Sequence, residues 1–223
     1  MNEHVKSVWK NQMERVSAAL RKNRMEVYFA DCKEEVTEIV KGLIPQGASI
    51  GLGGSETLNE CNIFPLIKSD NYRLIDRYAP GLTREQALQK QVEALSADVF
   101  LTGTNAITEN GELYNVDGNG NRVAAIAFGP KSVIVVAGVN KIVRDIPAAV
   151  KRVKEIAAPA NTKRLSMQTY CKEKGECVSL SRTAYPCDGC LSESRICCQY
   201  LISAYQRHPG RIKVILVAEP LGF

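Results

Sequence analysis

Apolar positions along the first hundred residues alternate between two periods. Over residues 5–22 they fall at Val5, Val8, Trp9, Met13, Val16, Ala19 and Leu20, the three-and-four spacing of an amphipathic helix. The run MEVYFA at 25–30 then reads as a strand. Residues 34–43 return to the helical period with Val36, Ile39, Val40 and Leu43, and ASIGLGG opens a second strand that runs into glycines. A strand at 72–76, a helix at 84–95 and a buried strand at 97–102 continue the series.

Such alternation marks a mostly parallel sheet with helices on both faces, because parallel neighbours need a crossover connection. Beyond residue 102 the spacing tightens. Residues 112–116, 124–128 and 132–137 lie too close together for helical crossovers, which predicts antiparallel or mixed strands turning at Asn119 and at Gly129 and Pro130. A helix over 147–157, with Pro147 in its first turn, and a last apolar strand at 213–218 complete the reading. The expected fold class is α/β: a mostly parallel central sheet with helices on both faces plus a small mixed β section. At 223 residues the chain can bury one full core, so a single domain over 1–223 is expected.

Two polar loops leave expected strands in the same sense and so open on one edge of the sheet. In GLGGSETLNE, Gly51, Gly53 and Gly54 lead into a helix with Ser55 or Thr57 near its N-cap, offering bare N–H donors to an anion; a tight turn is the plainer reading. The ending is neither a P-loop nor a full dinucleotide fingerprint. TGTNAITENG adds Thr104, Asn105 and Glu109, and Asp117, Asn121 and Arg122 follow inside a second cluster of glycines and asparagines. Arg122 could clamp a carboxylate or phosphate, or simply pair with Asp117.

Charge and composition narrow the chemistry. The formal charge of +5 is scattered without a basic run, which argues against nucleic acid and suits a small anionic metabolite. No window reaches membrane-spanning length and the N-terminus lacks the apolar run of a signal peptide, so a cytoplasmic location is expected. The two histidines, His4 and His208, lack the flanks of a nucleophilic triad, which leaves acid–base work to Asp, Glu, Lys or Cys. Exposed apolar helix faces are compatible with a homo-oligomer, although no heptad supports one.

Six of the eight cysteines crowd into residues 171–198, with five, nine, two, six and zero residues between successive members. The segment has little apolar material of its own and needs a staple. In a reducing compartment a metal is the expected one, zinc or an iron–sulfur cluster, with free thiols as the other reading. From spacing alone only Cys187 and Cys190 form a familiar ligand pair.

GLGGSETLNE, then TGTNAITENGELYNVDGNGNRVAAIAFGPKSVIVVAGVNKIV, then PANTKRL resemble the LUD domain of the lactate utilization proteins, the group containing lactate utilization protein C, over about residues 16–222. The resemblance implies a fold like that of the ribose-5-phosphate isomerase and CoA-transferase superfamily, with ligands over glycine loops at strand ends. It also implies iron–sulfur redox partners in oxidising lactate to pyruvate, and a cysteine set corresponding to Cys171, Cys177, Cys190 and Cys197, with Cys187 competing for the second place. The ENGEL turn is similar to that of CoA-transferases, where the glutamate forms the acyl-CoA thioester; that likeness would make Glu109 the catalytic group. Three functions follow as expectations. The first is a protein of organic-acid metabolism that binds an anionic metabolite at the glycine loops, within a redox complex. The second is a stand-alone isomerase or acyl/CoA transferase using Glu109, and the third a metal-binding interaction module.

Overall fold

Strand β7 (Ser132–Gly138) shows how the core is built: Val133, Val135 and Ala137 pack toward one face of a sheet, and Ile134 and Val136 toward the other. The period-two rule of a strand buried on both faces leaves no polar side and requires helices above and below. In this computed structural model, which describes residues 2–182 and 185–223, six parallel strands form that sheet. They are β1 (Glu26–Ala30), β2 (Ser49–Leu52), β3 (Arg73–Leu74), β4 (Val99–Gly103), β7 and β10 (Ile212–Val217), in the order β1-β10-β7-β4-β2-β3. Helices α2 (Val36–Leu43), α3 (Glu56–Glu60) and α4 (Phe64–Ile67) cover one face through Val40, Leu58 and Ile67.

The other face is covered by α1 (Glu3–Lys22) through Met13, Val16 and Leu20, by α6 (Asn121–Ala127), and by a second sheet. That sheet has four strands, β5 (Ala106–Thr108), β6 (Leu113–Asp117), β8 (Ile142–Val143) and β9 (Gln199–Ser203), ordered β8-β5-β6-β9 with mixed pairing. Its strands alternate as well. Ile107 and Leu113 join the main core, and Ala106 and Tyr114 pack against α7 (Ile146–Arg152) on the outside. Helix α5 (Arg84–Glu93), closed by a capping box at Thr83 and Gln86, precedes β4. A widened π turn (Val153–Ala157) carries α7 into α8 (Ala158–Arg164), and α9 (Tyr170–Lys174) begins the cysteine-rich segment.

The α/β architecture is as expected, and two expectations for residues 112–137 are corrected. Residues 124–128 do not form a strand. Gly120 takes a left-handed conformation (φ 84°), and the Asp117 carboxylate accepts the Val123 N–H, so NRVAAIA winds into α6 with Val123 and Ile126 inward. The Ala-rich run favours helix once its N-terminus is capped. With α6 as the crossover, β7 returns parallel to β4 in the centre of the main sheet and not in an antiparallel meander. The helix expected at 147–157 begins at Ile146 and widens at Val153, since Pro159 has no N–H to give the carbonyl one turn back and its ring crowds that carbonyl.

The C-terminal segment crosses tightly over the end of β7. A Cβ at Gly138 would lie 2.4 Å from the Glu219 carbonyl oxygen and 2.5 Å from the Leu221 nitrogen, both backbone atoms. Gly138→Ala is therefore expected to destabilise the protein by about 1–3 kcal/mol, the usual cost of overpacking, read as a lower urea midpoint at unchanged slope.

Candidate functional site

Chain order reverses across the main sheet between β2 and β4: from β2 the chain moves outward to β3, and from β4 it moves inward to β7 and β10. Loops leaving the carboxyl ends of β2 and β4 therefore diverge and leave a crevice, the place where open α/β sheets bind ligands. The β2 loop supplies Gly53, Gly54, Ser55 and Thr57; the β4 loop supplies Thr104 and Asn105. The chain leaving β7 adds a third wall through a short 3-10 turn, Val139–Lys141.

Arg122 ties the β4 loop to β6 and packs against the β2 loop at Gly53. Its Nε donates to Asp117 Oδ1 (2.9 Å), one terminal nitrogen to the Gly103 carbonyl (3.2 Å) and Asn115 Oδ1 (2.6 Å), and the other to Asn105 Oδ1 (2.8 Å) and the Val116 carbonyl (3.0 Å). The second terminal nitrogen also lies 2.7 Å from Asp117 Oδ1. Every donor of the guanidinium is used inside the protein. Of the two roles open to Arg122 in the sequence, pairing with Asp117 is the one the structure displays. Gly53 has no side chain because Arg122 passes there: a Cβ would sit 3.0 Å from Arg122 Cδ and 2.7 Å from Thr102 Oγ1.

The residue missed in the sequence is Lys141. It is 3% exposed, and its Nζ donates to Thr57 Oγ1 at 2.8 Å, the single hydrogen bond it makes among the described residues. A Cβ at Gly103 would lie 3.6 Å from Nζ, and one at Gly222 3.4 Å from it, so both glycines leave room for the ammonium. No carboxylate among the described residues lies within ion-pair distance of it. Burial, reinforced by Arg152 and Arg122 nearby, pushes its pKa down to about 7, against a smaller opposing pull from Glu60. Arg152 is likewise buried without a carboxylate partner among the described residues, donating to the carbonyls of Asn140 (2.9 Å) and Asn105 (2.6 Å), and burial lowers it to about 10. A lysine directly after an apolar strand, as in VIVVAGVNK, was the available signal.

Two further donors belong to this neighbourhood. Among the described residues, the buried side-chain atoms without a hydrogen-bond partner are Asn115 Nδ2 and Arg77 Nε. Asn115 is the fully buried partner of Arg122, and Arg77 stacks on the Tyr78 ring beside Gly54. The unmet capacity around the crevice is thus of one kind, N–H without an acceptor.

The remaining sequence candidates divide. Ser55 caps α3 by accepting the Leu58 N–H (3.3 Å) and faces Gly103; Thr104 is satisfied by the Ala106 and Tyr114 carbonyls. Gly51 is buried in β2, where a Cβ would collide with Ala94, so its smallness serves helix packing. Asn121 lines a different, open cleft of about 540 Å³ between α5 and β9. Glu109 is exposed at the far end of β5 from Asn105, in the turn whose Gly111 abuts Ala19 and Leu20 of α1, and the structure does not bring it to the crevice.

The cysteines also divide. Cys171, Cys177, Cys190 and Cys197 line one enclosed void, and Cys187 and Cys198 are exposed. Among the described residues no set of three or more His, Cys, Asp or Glu side chains has closed to metal-ligand geometry. Cys61 is buried under α3, where burial pushes its thiol up to about 12, and Cys32 is half-buried.

Two outcomes test this reading. Arg122→Met leaves Asp117 and two asparagine oxygens unmatched in a nearly buried network, so a loss of about 3–5 kcal/mol in unfolding free energy is expected. Lys141 gives a pH signature. Unfolded, it holds its proton up to an ordinary value of 10.5, and folded only to about 7. In that window the unfolded chain binds more protons, so the cost of burying this amine, full below about 7, lessens as pH rises toward 10.5. Lys141→Met should flatten the rise of stability with pH over that window, measured by urea unfolding at successive pH values.

The family model for the LUD domain matches residues 13–217. No curated protein matches the chain. Among solved structures, a DUF162 family protein from Deinococcus radiodurans is 16% identical, covering 94% of this chain and 98% of its own with a TM-score of 0.48. The delta subunit of eIF2B from Chaetomium thermophilum is 21% identical over 52% of this chain and 49% of its own, with a TM-score of 0.34. No helix among the described residues is long and apolar enough to cross a membrane. With the family model spanning all six strands of the main sheet and all three walls of the crevice, the chain belongs to the LUD domain family.

Proposed function

We propose that the crevice over the carboxyl ends of β2, β4 and β7 binds a small organic anion, in the organic-acid metabolism that the resemblance to lactate utilization proteins implies. The observation that carries the reading is Lys141: among the described residues, a buried ammonium with one neutral hydrogen-bond partner and no carboxylate in ion-pair range. Leaving a cation in this condition is costly unless an anion completes it. Arg152 adds a second buried positive charge, and Thr57 and Ser55 add hydroxyls on the facing wall. A carboxylate or phosphate suits this set, because it supplies the acceptors that the spare N–H donors lack.

Chemical work at the crevice falls to the same amine. An ammonium poised near neutrality can hold a developing negative charge on a bound carbonyl or give up a proton to it. Glu109, apart from the crevice and exposed, receives no support as its partner.

Titration of the protein with lactate, pyruvate and inorganic phosphate by calorimetry tests the reading. At least one is expected to bind below pH 7 and to weaken as pH rises and Lys141 loses its proton. Lys141→Met should weaken that ligand by tenfold or more, about 1.4 kcal/mol. Equal affinity in the variant, or affinity that strengthens with pH, would show that the amine is not the anion's partner.

A further inference from the structure

The void lined by Cys171, Cys177, Cys190 and Cys197 lies away from the crevice, and three independent features bear on it. The first is its lining. The four thiols come from four separate stretches: α9, the start of the following 3-10 turn, the loop after it, and the approach to β9. Residues 185–198 carry little apolar filling of their own, with Leu191 97% exposed, and they close over an apolar wall made by Tyr114, Val150, Val153 and Tyr200.

The second feature is charge. Lys154 lines the same void, 6% exposed, with Nζ donating to Ser179 Oγ (2.7 Å) and to the carbonyls of Tyr185 (2.7 Å) and Asp188 (3.0 Å). Arg195 donates to the carbonyls of Cys197 (2.8 Å), Cys190 (3.2 Å) and Cys187 (2.7 Å). Neither cation has a carboxylate within ion-pair distance among the described residues. The fold has placed two positive charges beside a ring of thiols, with Asp188 the one carboxylate among the described residues that lines the void.

The third is the π turn. In its i to i+5 register the Lys154 carbonyl would pair with residue 159, which is proline and has no N–H. That carbonyl accepts the Cys177 N–H instead (2.9 Å). The helix has been widened where it holds a cysteine in place.

We infer that Cys171, Cys177, Cys190 and Cys197 form a mononuclear tetrathiolate site for zinc. On ligation each thiol gives up its proton, and four thiolates around a divalent ion carry a net charge of about −2, which Lys154 and Arg195 offset. Size separates zinc from a cluster. The void is about 20 Å³, on a scale where one water needs roughly 10–15 Å³. One ion with sulfurs drawn in to about 2.3 Å needs less room there than a four-iron cubane with its own sulfides. Closure requires two sulfurs to turn from present contacts: Cys171 Sγ from the Thr169 and Thr162 hydroxyls (3.4 and 3.6 Å), and Cys177 Sγ from the Ser179 hydroxyl (3.3 Å). Cys187, exposed and outside the void, is not a ligand, although its two-residue spacing from Cys190 suggests one.

The full chain, expressed with zinc and iron both supplied and purified without chelators or air, should carry about one zinc per chain and no visible absorption. Cys190→Ser should lose most of the zinc and Cys187→Ser should keep it. Zinc retained by the first, lost equally by both, or absent throughout overturns the assignment, as does iron with sulfide and a visible chromophore. Should Cys190→Ser fail to fold, cobalt in the unaltered chain decides. Tetrahedral d–d bands with strong thiolate charge transfer support the site, and a weak octahedral spectrum refutes it.

Discussion

A single guanidinium holds the functional end of this protein together. Arg122 spends all its donors on groups from β4, β6 and the loop between β4 and β5, and its own helix is capped by the same Asp117 it pairs with. Burying a charged arginine is tolerable only with such saturation, because any unmet donor in a low-dielectric setting costs more than a typical hydrogen bond contributes. Gly53 must lack a side chain so that Arg122 can pass, Asn105 and Asn115 must present oxygens, and α6 must begin where it does. Within the dense run of glycines, asparagines and acids between residues 103 and 122, Gly103, Asn105, Asn115 and Asp117 are the sequence record of that one constraint.

A saturated Arg122 also changes what the crevice can do. The cation conspicuous in the sequence is spent on structure, and the buried cations that lack carboxylates among the described residues, Lys141 and Arg152, come from later in the chain. Positive charge is thus layered: one arginine neutralised by Asp117 fixes the loops, and two buried cations behind them stay electrostatically hungry. The mutual repulsion of Arg122, Arg152 and Lys141 helps depress the lysine toward neutrality. An incoming anion would relieve that repulsion as well as filling hydrogen bonds.

Much of this was legible along the chain. The helix and strand periods located the main sheet to within a few residues because its central strands are buried on both faces, and Gly53, Asn105, Asp117 and Arg122 were picked out by the cost of so much backbone freedom. Residues 124–128 misled because a short apolar run fits strand and helix equally, and the deciding contact, the Asp117 carboxylate on the Val123 N–H, is a matter of geometry. Strands β5, β8 and β9 are too short or too irregular to announce themselves, and β9 exists by pairing with β6 some eighty residues earlier. Lys141 escaped notice since its place directly after an apolar strand is only a weak local signal; the surroundings that bury it come from α3, β4 and the C-terminal segment.

The crevice and the cysteine-rich segment are mechanically joined at two points. Arg152, in the last turn of α7, reaches the Asn105 and Asn140 carbonyls of the crevice, and two residues on, Lys154 holds the cysteine segment through both its ammonium and its carbonyl. At the other end, the Cys198 N–H donates to the Asp117 carbonyl, and β9 then pairs along β6 past Asn115. The segment therefore braces both the helix that delivers Arg152 and the strand that orients Arg122. The packing of the cysteine-rich segment therefore also sets the rigidity of the crevice walls, because neither Arg152 nor Asp117 can shift without dragging a residue tied to that segment.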